Sequence, residues 1–187
     1  MEKDNKMLKS AMESGLIFGI ILIAINIITY ITGFKPFGIG KMIIMFIMYI
    51  ALFYIAIYYF TRQYKFKILK GDISFSQAFL FSLLFIFFAS FLFSFYNYIF
   101  NEYIDTEYAK KIFEESKEWV SNLLQQQGLS QDRIDSEIAK MDAKGIPTPI
   151  KSSINTIIYY LIIGGILSLI TSSFLKKKKD TFDELNK

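Results

Sequence analysis

The chain has 187 residues, 53% of them hydrophobic and 18% aromatic, and 21 basic against 17 acidic side chains leave a net charge of +4. It contains neither cysteine nor histidine, which excludes disulfides, thiolate or imidazole zinc sites, a cysteine nucleophile and a Ser-His-Asp triad. The length suits one compact unit, and the apolar excess is gathered into blocks separated by charged strips, so the expected class is an all-α membrane protein.

Four runs, 14–34, 42–61, 73–101 and 152–175, carry no charged residue. About 20 helical residues, at roughly 1.5 Å each, cross a hydrocarbon core of about 30 Å, so each run is long enough to span once. The predicted spans are 14–34, 42–61, 75–97 and 152–175. Lys3, Lys6 and Lys9 before the first run have the look of a secretory signal. That run is too long for a signal's apolar region and no small-residue cleavage site follows, so an uncleaved first helix is expected. Within it Gly15 and Gly19 make a GxxxG pattern, which lets helix backbones approach closely inside lipid. It serves either as an intramolecular packing face or as the seam of a homo-oligomer. Asn26 is the most polar group of that span, and an amide there bonds a neighbouring helix more often than it lines a path.

Gly71 and Asp72 supply the turn before the third span, and Ser74 and Gln77 have the S-x-x-Q form of a capping box. Ser74, Ala78, Ser82, Ser90 and Ser94 form a stripe of small residues, so Ser74 and Gln77 are grouped with the packing positions. A polar site using Asp72, Ser76 and Gln77 is the functional alternative. Tyr96, Tyr98 and Tyr103 at the far end of this run suit an interfacial aromatic belt.

Residues 102–151 are too many for a turn and carry helical patterns of their own. Tyr108, Ile112, Trp119, Val120, Leu123 and Leu124 make an apolar stripe, Gly128 stops that helix, and Ser130 caps a second with Ile134, Ile138 and Met141 at i, i+4 and i+7. A helical hairpin is predicted, ended by Gly145, Pro147 and Pro149, which lead the chain extended into the last span. Its stripes either zip together, lie on the membrane surface, or present Ile112, Trp119, Leu123, Ile134 and Ile138 to another protein. Glu114, Glu115, Glu118, Asp132, Asp135 and Glu137 read as a solvated face opposite the stripes. In the last span Gly164, Ser168 and Ser172 place small groups every fourth residue, a second packing face. The lysines from Lys176 to Lys179 suit anionic head groups rather than nucleic acid.

Twelve of the basic residues flank one membrane side: three at the N-terminus, four between the second and third spans and five from Lys176 onward. The other side holds Lys35, Lys41 and the seven basic residues of 102–151, which ten acidic ones outnumber to leave that segment at −3. By the positive-inside rule both termini face the cytoplasm and the hairpin is extracytoplasmic. No charged residue lies inside a span, which weakens proton-coupled transport, and no carboxylate pair or activated hydroxyl stands out. The expected function is that of a non-enzymatic scaffold or accessory subunit without cofactor, its partners being the bilayer and a membrane or extracytoplasmic protein met through the hairpin. A small oligomeric transporter or channel is the alternative.

The Lys-rich start, the run Gly71-Asp72-Ile73-Ser74-Phe75-Ser76-Gln77-Ala78-Phe79, the helical insert with Gly128-Leu129-Ser130, and Gly164-Gly165-Ile166-Leu167-Ser168-Leu169-Ile170 before a basic tail form one pattern. In it the chain resembles, over nearly its whole length, the bacterial integral membrane family of domain of unknown function 4199. The resemblance implies a four-helix inner-membrane protein with no assigned activity and no functional residues to carry over.

Overall fold

A computed structural model of the chain describes residues 2–35 and 37–176. Their backbone forms α1 Glu2–Ile31, α2 Ile39–Lys67, α3 Phe75–Ile99, α4 Tyr108–Gln126, α5 Gln131–Lys144 and α6 Pro149–Leu175, and one π-helical turn, Phe100–Ile104, prolongs α3. Among the described residues four stretches are long and apolar enough to cross a membrane: Asn5–Ile31, Ile39–Lys67, Phe75–Ile104 and Pro149–Leu175. The chain is therefore an all-helical, multi-pass membrane protein, and each helix that can span coincides with one of the predicted runs. The basic stretch beyond Lys176 lies outside the described residues.

The helices outrun the charge-free runs for local reasons. The residues that carry α1 back to Glu2 include Lys, Met, Glu and Ala, all good helix formers, with Lys9 and Glu13 paired across one turn at 4.0 Å. α2 continues through Arg62, Lys65 and Lys67, whose charges suit the negative end of a helix dipole. Pro149 was expected in an extended lead to the last span, yet it opens α6. Thr148 is the N-cap, its Oγ1 accepting from the Lys151 amide at 3.4 Å, and proline at the first helical position gives up only an amide that has no intrahelical partner. Between α2 and α3 the turn runs through Gly71 at φ 105°, whose amide bonds the Lys65 carbonyl at 2.9 Å. Ser74 and Gln77 then close the predicted capping box at 3.2 and 3.0 Å. Both side chains are exposed there, so they shape the start of α3 rather than join two helices as the packing assignment had it.

α3 is the central helix. Half of its most apolar stretch is buried, against 17% for α2, and it packs chiefly on α6 and α1, while α2 leans on α6 and α3. An aromatic layer crosses the middle of the bundle: Phe18 of α1 meets Phe85 of α3 at 5.5 Å and Phe53 of α2 at 5.2 Å, and Phe53 meets Tyr160 of α6 edge-on at 4.9 Å. Towards the α2–α3 turn, Tyr64 stacks on Phe81 at 4.3 Å and Thr61 and Ser82 share a buried hydrogen bond of 2.8 Å. Lys65 Nζ donates to the Leu175 carbonyl at 2.9 Å, closing the end of α6 where its own carbonyls run out of amides.

The glycines stand where helices touch. A Cβ on Gly15 would lie 2.6 Å from the Phe85 carbonyl oxygen, one on Gly19 3.0 Å from Leu92, and one on Gly164 2.8 Å from Ile86. Ser168 and Ser172 on the Gly164 face are fully buried and their hydroxyls make no hydrogen bond among the described residues, so small volume is what they contribute.

Candidate functional site at the α4 end of the bundle

The α1–α2 connection and the segment after α3 share one end of the molecule, and a set of contacts fastens α4 there. Tyr30, at the end of α1, donates to Asp105 Oδ2 at 2.9 Å and packs edge-on against Phe100 at 4.9 Å and Tyr108 at 5.3 Å. Phe100, two helical turns after the buried Phe93, is 6% exposed and also touches Tyr96 and Tyr108, and the π-turn that starts there closes on Asp105, whose amide donates to the Phe100 carbonyl at 2.9 Å. Tyr96 in turn donates to Asn26 Oδ1 at 3.2 Å, so Asn26 ties α1 to α3. Two and three turns further along α4, Glu115 forms an ion pair with Lys35, and the Trp119 indole stacks over Phe37 at 6.5 Å. Burial raises the Tyr108 phenol above its ordinary pKa, and the nearby Glu115 and Asp105 carboxylates push it the same way.

α4 and α5 pack on one another, joined through Gly128 at φ 77°. Lys117 reaches across the pair, donating to Asp142 at 2.8 Å and to Glu114 at 2.9 Å, and these two carboxylates hold its ammonium above the usual lysine pKa. Ser130 sits at the N-cap of α5, but its hydroxyl caps nothing. Of the five residues expected to meet a partner, Ile134 is 2% exposed, Trp119 is engaged by Phe37, and Ile112, Leu123 and Ile138 are half-buried. Aromatic and charged contacts between positions 70 to 82 apart bring this end together, and local periodicity carries no signal of them.

α4 separates two concavities of opposite chemistry. On its α5 side lies an open cleft of about 670 Å³ lined by Glu114, Glu115, Glu118, Asp135 and Asp142, with Lys117 its one cation and Ile138 and Ala139 among its walls. Four of those carboxylates were read as a solvated face away from the apolar stripes. Glu114, Glu118 and Asp135 are exposed along the α4–α5 seam, whereas Glu115 is only 22% exposed, with Oε2 buried and unbonded. On the bundle side lies a cavity of about 760 Å³ bounded by α1, α2, the end of α3, α4 and the start of α6. Phe34, Met45, Ile112, Phe113 and Pro147 give it apolar walls, Asn101, Thr148 and Ser152 are polar, and Lys110 is its only charged residue. Among the described residues no three Asp or Glu side chains are grouped to hold a metal ion.

A family model covers residues 13–177, from about three turns into α1 to just past the end of α6. No curated protein and no solved structure matches the chain. With most of its length so matched, the chain belongs to the family described as protein of unknown function (DUF4199).

Proposed function

We propose that this is a non-enzymatic scaffold or accessory subunit of a bacterial inner membrane, with both termini cytoplasmic and α4 and α5 forming an extracytoplasmic hairpin held in fixed relation to the bundle. The observation that carries this reading is the fastening of α4: an ion pair to Lys35, an indole on Phe37 and the Tyr30–Asp105–Tyr108 junction hold an insert that a mere linker would leave loose. The twelve-to-nine division of basic residues, with a hairpin segment at −3, supports the orientation. The surface so presented is the acidic cleft, whose Glu118, Asp135 and Asp142 are exposed beside Ile138. It suits a basic segment with an apolar side chain on a membrane or extracytoplasmic partner.

The test replaces 105–144 with a short Gly/Ser linker and compares co-purifying proteins in mild detergent. The expected result is a folded four-helix protein that has lost its partners, and Glu118→Lys with Asp135→Lys should lose them without any deletion. Partners retained by both variants would overturn the scaffold reading.

A further inference from the structure

α2 is packed along only half its length. Its buried residues, Phe53, Ala56, Ile57, Thr61 and Tyr64, all lie towards the α2–α3 turn. In the half nearer α4, Ile43, Ile44, Phe46, Ile47 and Met48 are 53 to 63% exposed. The gap this leaves beside α6 holds an apolar pocket of about 280 Å³, lined by Phe46, Tyr49, Ile50, Phe53, Tyr160 and Ile163. Tyr49 also lines the larger cavity beneath α4, so the two hollows adjoin at its ring, and a path past it would run from mixed walls under α4 to almost purely apolar ones deeper in. The larger cavity, at about 760 Å³, falls in the size range of small-ligand sites, about 300–1,000 Å³.

We propose that this path holds one anionic phospholipid of the leaflet next to α4, with its phosphate near Lys110 and an acyl chain running past Tyr49 between α2 and α6. Three observations select that occupant. The deep pocket is a gap between two helices that cross the membrane, where the surrounding medium is acyl chain. Polarity falls from Asn101, Thr148 and Ser152 towards Phe53 and Ile163, as it does along a lipid from ester to chain. The upper cavity is lined by a lysine and by no carboxylate, and the one acid beside that lysine, Glu107 at 3.8 Å, is an exposed and weak partner, whereas five carboxylates line the cleft on the far side of α4, so of the two hollows the bundle side suits a phosphate. The proposal does not depend on which membrane face carries α4, and it stands or falls apart from the scaffold reading.

The test uses the full chain in phosphatidylcholine vesicles doped with phosphatidylglycerol that carries a photoreactive diazirine on one acyl chain, with the labelled residues mapped by mass spectrometry. Labelling should be at least five-fold denser at Met45, Tyr49 and Ile163 than at the lipid-facing Phe174, which is 72% exposed. Ala109→Trp fills the upper cavity and should cut the first signal at least five-fold while leaving Phe174 labelled as before. Ser152→Phe narrows the same cavity from α6 and serves if the tryptophan variant does not elute as a folded species. Lys110→Glu should lower capture of the anionic lipid several-fold and leave capture of diazirine phosphatidylcholine unchanged. Labelling no denser in the path than at Phe174, or unchanged by both blocking variants, would overturn the site. A Met45→Cys variant that forms disulfide-linked pairs in place of lipid adducts would assign the path to a second copy of the chain and overturn it equally. Unchanged capture in Lys110→Glu would overturn the phosphate assignment.

Discussion

A methyl group at Gly15 would meet the backbone of α3, whereas one at Gly164 would meet the branch point of the buried Ile86 side chain and one at Gly165 nothing nearer than 3.7 Å. Alanine at these positions should therefore destabilise in the order Gly15, Gly164, Gly165. Leucine at Gly15 or Gly164 should cost on the order of 1 to 3 kcal/mol, read as a lower melting temperature in detergent. Equal melting of Gly15→Ala and Gly165→Ala would show that α1 does not approach α3 as described. At the other end of the molecule, Lys35 and Glu115 are 47 and 22% exposed, so their pair is worth only ~0.5–1 kcal/mol. A double-mutant cycle of Lys35→Met and Glu115→Gln should return a coupling of that size, and a zero coupling would detach α4 from the α1–α2 connection at this point. Lys117 behaves differently with pH. Because its carboxylate partners raise its pKa above 10.5, their contribution is complete below that pH and fades only as pH climbs through the raised value, so α4–α5 docking should not change across neutral pH on its account.

Among the elements, the four spans were legible because absence of charge over about 20 residues is a strong and local signal. Their ends were less so. The first turns of α1 are polar but made of good helix formers, and Pro149 reads as a breaker unless Thr148 is seen to cap ahead of it. The capping box at Ser74 and Gln77 was legible from spacing alone, whereas the same logic applied to Ser130 named the right residue and the wrong chemistry. That contrast is measurable: Ser74→Ala should cost about 1 kcal/mol, and Ser130→Ala only a few tenths. A larger loss at Ser130 would mean its hydroxyl does cap α5. The π-turn at Phe100–Ile104 has no local signature, since the rings of Tyr30 and Tyr108 that reward it come from other helices.

For the whole molecule, the proposed orientation puts α4 on the extracytoplasmic face. The chain lacks cysteine, so single introduced thiols report without background. Gln126→Cys, in the last turn of α4, should react with a membrane-impermeant reagent applied from outside, and Ser76→Cys, in the first turn of α3, should not. The reverse result would invert the orientation while leaving the fold intact. Which helices cross was readable from the residues themselves, but the two concavities flanking α4 were not, because each is made by residues from several helices. The apolar stripe of α4 showed that the insert had a face to bury and could not show that Phe37 and the end of α1 help to bury it.

The fastening of α4 also constrains the order in which the molecule can be assembled. Tyr30 and Lys35 wait for partners 75 and 80 positions later, so their contacts can close only after α2 and α3 have been made and placed. Until then Tyr30, Phe34 and Phe37 are left without α4, and the chain passes through a stage with an aromatic patch uncovered at the membrane edge. α6 is synthesised later still, yet it is a principal neighbour of α3, so the three earlier spans must keep the Ile86 side of α3 open to receive Gly164. Biogenesis thus ends with a helix entering beside α3 under an insert already able to grip the first connection.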